Sequence, residues 1–186
     1  MKELLLKLKA CGPAIDWAGD KTIEEIWETC HRGDWMLWLA RKLNIDKRVL
    51  TLAKGHCANT VRHLMKDERS IAAVDMAIKY GEGNATDSEL ATAATAAYDA
   101  YAAAYATAAA AYAAAAYDAY AAAAYAAYAT AAADAAAYAA DAAAYAAAFA
   151  ARKKSQQETA EICRKYIPFD LILSGIKSQE KQKEGI

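Results

Sequence analysis

An all-α fold is predicted by three features of this chain. T-x-x-E signatures occur at Thr22–Glu25 and Thr86–Glu89, apolar residues recur at helical spacing through the first 80 residues, and a tract from Ala91 to Ala151 is nearly all alanine. In a capping box each side chain satisfies a backbone N–H that a helix start leaves unpaired. Alanine has the highest intrinsic helix propensity, and the Tyr, Thr and Asp scattered among it each cost only about 0.7 kcal/mol or less. The predicted architecture is a single-domain helical bundle over residues 1–168. A Trp-rich half, 1–83, packs with two or three Ala/Tyr-rich helices in 86–166, and a charged tail over 177–186 is expected to fray.

The elements follow in order. Lys2 to Ala10 reads as a short amphipathic helix ended by the Gly12-Pro13 breaker. The next begins at Thr22, where Ile23, Ile26, Trp27 and Cys30 stand at i, i+3, i+4 and i+7 and make one apolar face. Gly33 reads as its C-terminal cap and Asp34 as the N-cap of a helix over Trp35–Leu43, stopped by Asn44. From Asp46 to Met65, Leu50, Ala53, Cys57, Val61 and Leu64 form a stripe, while Lys47, Arg48, Lys54, Arg62 and Lys66 supply a solvated face. A helix over Glu68–Tyr80 carries Ile71, Val74 and Ile78, and Gly81 and Gly83 break it.

No Gly or Pro occurs from Thr86 to Tyr166. One continuous helix there would be on the order of 100 Å long, with nothing to pack along it. The tyrosine phase argues for folding back instead. Tyr98, Tyr101, Tyr105 and Tyr112 share a face, Tyr117, Tyr120, Tyr125 and Tyr128 drift to another, and Tyr138, Tyr145 and Phe149 form a third stripe. Turns are expected near Asp118 or between Thr130 and Asp134, where Asp and Thr can cap a new start. Thr92, Thr95, Thr107 and Thr130 keep no constant period, which speaks against an ice-binding face. The last helix of the domain, Lys153 to Tyr166, ends before Pro168.

The formal net charge of -1 provides no basic field for nucleic acid. No apolar run reaches membrane-spanning length, and the opening Met1-Lys2-Glu3 with Lys7 is unlike a secretion signal, so a cytoplasmic protein is expected. Cys11, Cys30, Cys57 and Cys163 are widely separated and expected as reduced, mostly buried thiols. The pairs Cys30-His31 and His56-Cys57, with His63, do not form a zinc pattern, because adjacent helical residues point about 100° apart. Asp99, Asp118, Asp134 and Asp141 have no accompanying base and read as caps. The chain is therefore expected to be no enzyme and to carry no metal or cofactor.

Binding is the remaining class. Tyrosine joins apolar area to a polar tip, and Tyr117 and Tyr125 are candidates to line a cleft between the Ala-rich helices and the Trp-bearing ones. Around the first helix corner, Gly33, Asp34, Trp35 and Trp38 have structural readings as turn, cap and core. Arg32 has none and is the leading candidate for a functional salt bridge or interface contact.

The segment Trp27-Glu28-Thr29-Cys30-His31-Arg32-Gly33-Asp34-Trp35-Met36-Leu37-Trp38-Leu39-Ala40 resembles the signature of the Imm5-like group of bacterial immunity proteins. The layout is similar too, with a Trp-rich start, a long Ala-rich tract and an ending such as Ile162-Cys163-Arg164-Lys165-Tyr166-Ile167-Pro168. Arg32 to Leu39 is the distinctive part. The resemblance implies a protein that neutralises a toxin of a polymorphic toxin system by binding it, with Arg32, Asp34, Trp35 and Trp38 in the binding region. The alternatives are a small-ligand binder or sponge-type anti-defence protein with a Tyr-lined cleft, and a helical scaffold. Composition leaves open whether one copy or a homodimer acts.

Overall fold

The computed structural model describes residues 1–65, 67–99 and 150–184, and every regular element among them is helical. In order these are α1 (Lys2–Lys7), α2 (Gly12–Ala18), α3 (Ile23–Thr29), α4 (Gly33–Lys42), α5 (Lys47–Asn59), a 3₁₀ turn (Arg62–Leu64) and α6 (Glu68–Gly81). Helical residues 87–99 (α7) and 150–166 (α8) flank the tract, and α9 is Phe169–Glu184. The fold class is all-α. The Ala/Tyr-rich helices expected between α7 and α8, with Tyr117 and Tyr125, lie outside the described residues.

Both predicted capping boxes form. The Thr22 N–H donates to the Glu25 carboxylate at 2.7 Å and the Glu25 N–H to the Thr22 hydroxyl at 3.2 Å. Thr86 and Glu89 repeat the exchange at 2.8 and 3.3 Å, opening α7. Asp46 caps α5 by accepting from the N–H groups of Arg48 and Val49.

Four expectations are corrected. Pro13 does not end α1, which stops at Lys7; it stands in the first turn of α2, where its fixed φ suits a helix and its missing N–H is not needed. Gly33 is not a C-terminal cap and Asp34 is not an N-cap. Gly33 is the first residue of α4, the N-cap is Arg32, and no side chain caps that start. Gly81 is still helical, and the turn that follows uses Gly83 at φ 85°. The charged segment after Ile176 continues α9 as far as Glu184.

α5 and α6 form an antiparallel hairpin whose backbones approach closely. A Cβ on Gly81 would lie 2.7 Å from the Leu52 Cα, so only glycine lets the helices meet there. Charged residues latch both ends of the hairpin. Arg48 donates to the carbonyls of Tyr80 (2.6 Å) and Ala85 (3.3 Å), and Arg62 pairs with Asp75 in a two-pronged contact. Tyr80, 3% exposed, passes its hydroxyl to Asp87 at 3.0 Å, and Asp87 also pairs with Lys47.

The core is built across the chain. Leu5 of α1 with Leu8 just after it, Ile26 and Trp27 of α3, and Met36, Leu39 and Ala40 of α4 share one core with Ala160 and Cys163 of α8, Ile167 after it, and Ile172 and Ile176 of α9. Cys163, Ile167 and Ile172 are completely inaccessible. The C-terminal helices are therefore the centre on which the Trp-rich half is assembled. Arg164 ties the two together, donating to the carbonyls of Trp27 (3.0 Å) and Cys30 (2.9 Å) and so closing the end of α3 with a side chain from α8.

Candidate functional site: an indole-lined cleft

Trp17, Trp27, Trp35 and Trp38, from α2, α3 and α4, all line one cleft of about 360 Å³. Each tryptophan is placed there by its helix. Trp35 and Trp38 are three residues apart on α4 and share a face, while Met36 and Leu39 turn toward the core. Trp27 is 3% exposed and forms the floor, whereas Trp17, Trp35 and Trp38 are half-buried at the mouth. Leu5 and Ala10 close the side toward α1, and Cys11, exposed, stands at the rim.

The rim is organised by cation–ring contacts. The Arg32 guanidinium lies 4.5 Å from the centre of the Trp35 ring and grips Asp34 through two bonds, Nε–Oδ1 at 2.8 Å and Nη2–Oδ2 at 2.6 Å. That grip lowers the Asp34 pKa below its usual value and raises that of Arg32. Trp35 meets Trp17 with ring centres 6.1 Å apart, His31 meets Trp17 edge-on at 5.9 Å, and the Lys21 ammonium sits 4.7 Å from the Trp17 ring centre. Such contacts hold aromatic faces in fixed orientation without burying them. Burial pushes the Cys30 thiol pKa up, and Cys30 lines the cleft as a neutral group.

Lys9 also lines the cleft, with an unusual backbone. Its φ of 61° is left-handed. Its N–H bonds the Leu6 carbonyl and the Ala10 N–H bonds the Leu5 carbonyl, a helix ending in which glycine is the usual residue. A side chain with a Cβ costs about 1 kcal/mol there. Asn44 holds the matching place after α4, at φ 56°, and asparagine tolerates it.

Three of the predicted binding residues, Asp34, Trp35 and Trp38, line this cleft, and Arg32 packs on its wall. Tyr117 and Tyr125 are outside the described residues, and the cleft described here is lined by indoles rather than tyrosines. Sequence reasoning missed Trp17 because it missed α2, and Lys9 because it ran the first helix on to Ala10, whereas α1 ends at Lys7. The signal was Pro13 followed by Ile15, Trp17 and Ala18, a proline at a helix start rather than at its end.

A second hollow of about 450 Å³ between α1 and α9 is bordered by Glu3, Lys7, Gln179 and Glu180 and lies away from these residues. His56 stacks on Tyr166 with ring centres 4.0 Å apart, and Cys57 donates to the Thr159 carbonyl. Among the described residues no group of three or more His, Cys, Asp or Glu could hold a metal ion, and no helix is long and apolar enough to cross a membrane. Compared with known proteins, the chain matches no family model, no curated protein and no solved structure.

Proposed function

We propose that this chain acts by binding rather than by catalysis, as an immunity-type inhibitor that neutralises a protein toxin by occlusion, with the indole cleft as the seat for an apolar group of the toxin. One observation carries the reading. The segment Arg32–Leu39, on which the resemblance rests, is also the segment that supplies Asp34, Trp35, Met36, Trp38 and Leu39 to the cleft. Trp35 and Trp38 pack against the core but are not fully buried, which leaves indole surface at the mouth for a partner. Large aromatic side chains around a concave apolar seat are what strongly contributing interface positions consist of. In this reading the protein works in the cytoplasm, where its four free cysteines stay reduced.

The test is co-expression of the chain with the toxin encoded beside it, scored as growth. The intact chain should protect, and a Trp35→Ala/Trp38→Ala variant with an unchanged far-UV circular dichroism spectrum should protect at least tenfold less. Equal protection by the variant, or none by the intact chain, refutes the reading.

A second reading is favoured by the cleft volume, about 360 Å³, which is in the range of small-molecule pockets. On that reading the chain is a small-ligand binder or sponge. Native mass spectrometry of the protein purified from its own host separates the two, since a sponge retains a bound mass.

A further inference from the structure

We infer that the group seated in the indole cleft is an aromatic side chain of the partner protein with a carboxylate beside it. This rests on the reading of the chain as a partner-binding protein and specifies what the partner presents.

The first ground is shape. Four indoles line the cleft, and those of Trp17 and Trp35 are held by Lys21, Arg32 and each other, so a planar guest ring meets aromatic partners there. Trp17, Trp35 and Trp38 are only partly buried, so a group projecting from another surface can reach their rings.

The second ground is charge. The charged residues lining the cleft are Lys9 and Asp34. Asp34 is consumed by its two-pronged bond with Arg32, whereas Lys9 makes no ion pair among the described residues. A guest therefore meets, at Lys9, a positive charge that no described residue pairs. A carboxylate adjoining the inserted ring complements it.

The third ground is the backbone at Lys9. A left-handed φ of 61° at a helix ending is where glycine is favoured over a residue with a Cβ. Strain kept at the rim of a cleft, by a residue whose charge has no partner among the described residues, points to a contact made only in the complex.

The experiment follows the indole N–H resonances of the four tryptophans of the ¹⁵N-labelled full chain during titration with unlabelled probes: acetyl-Trp-Glu-amide, acetyl-Trp-Gln-amide, acetyl-Ala-Glu-amide and indole-3-acetate. The Trp-Glu peptide should move the resonances of Trp17, Trp35 and Trp38 and bind about three- to fivefold more tightly than the Trp-Gln peptide, the size expected of one exposed ion pair. The Ala-Glu peptide should move none. Lys9→Gly should raise Tm by removing the strain and abolish the Glu/Gln difference, so lost discrimination cannot be ascribed to unfolding. No indole shift with any peptide, or equal affinity for the Glu and Gln peptides, overturns the inference. Tighter binding of indole-3-acetate than of the Trp-Glu peptide also overturns it and assigns the cleft to a small aromatic acid. Failure here with protection intact in co-expression would place the toxin contact elsewhere. Peptide binding without protection would remove the immunity reading and leave the chemistry of the cleft.

Discussion

Gly33, the first residue of α4, lies so close to Thr159 of α8 that a Cβ on it would stand 2.5 Å from the Thr159 Oγ1 and 2.6 Å from its carbonyl carbon. The second distance is to backbone, so a rotamer change cannot relieve it. The Cys163 thiol, one turn further along α8, donates to the Gly33 carbonyl at 3.6 Å. The junction between the two ends of the chain is thus a backbone-to-backbone contact that admits no side chain.

Gly33→Ala should therefore lower the unfolding free energy by about 2 kcal/mol or more, as overpacking of a tight contact does. Gly12→Ala, with nothing within 4 Å of the added atom, should stay within about 0.5 kcal/mol of the parent. Urea denaturation of both variants checks this, and equal midpoints would show that α4 and α8 can separate at little cost.

Arg164 supplies the donors for two carbonyls at the end of α3. Arg164→Ala leaves them without those donors beside the buried Trp27 and should cost about 2 kcal/mol, the scale of hydrogen bonds from a charged group. Because α3 carries the floor of the cleft, the indole N–H resonance of Trp27 should shift in the same variant. A stability loss with no Trp27 shift would confine the role of Arg164 to packing.

Acid should unfold the protein through its paired aspartates. The Asp67 carboxyl is held at about 2, against an ordinary 3.8, chiefly by its bond from Arg69. Asp34, Asp75 and Asp87 are lowered as well, chiefly by Arg32, Arg62 and Lys47 respectively. Each group has a folded pKa below its unfolded one, so its contribution is complete above the unfolded value and is lost as pH falls through the folded value. Stability should decline between about pH 4 and pH 2, and Asp67→Asn should make that decline shallower. An unchanged slope in the variant would contradict the assignment.

Thiol reactivity should be ordered by position. Cys11 is exposed at the cleft rim and should be alkylated first, and Cys57, half-buried and lowered by its hydrogen bond with Cys163, second. Cys30 and Cys163 should resist, Cys30 because burial raises its pKa and Cys163 because its contact with Cys57 and its burial do so together. Peptide mass spectrometry of a timed iodoacetamide reaction at pH 8 reads the order. Labelling of Cys163 before Cys11 would mean that α8 opens readily. The same label on Cys11 should slow when an aromatic-acid peptide fills the cleft.

Local hydrogen bonding explains what could be read directly. The boxes at Thr22–Glu25 and Thr86–Glu89 and the stop at Asn44 each depend on residues within about four positions of one another, and each forms as expected. The apolar face of α3 is legible for the same reason, because Ile26, Trp27 and Cys30 follow a period of 3.6 and are buried. Arg32, Asp34, Trp35 and Trp38 were singled out by their pattern, but the pattern gave Asp34 and its neighbour Gly33 the wrong jobs. A glycine followed by an aspartate reads as cap and cap, and nothing nearby in the chain reveals that the glycine faces Thr159.

The sequence by itself determined that this chain is helical, where most of its described helices begin, and that its tryptophans gather in one half, because propensity, capping and periodicity act over a turn or two. Tertiary packing alone brings Trp17, Trp27, Trp35 and Trp38 around one cleft, puts Lys9 at its rim without an ion pair among the described residues, and closes α3 with Arg164 from 137 residues away. Those outcomes depend on which faces of distant helices pack together, which is set by side-chain volume and close approach summed over the whole core, and no local window of sequence contains that sum.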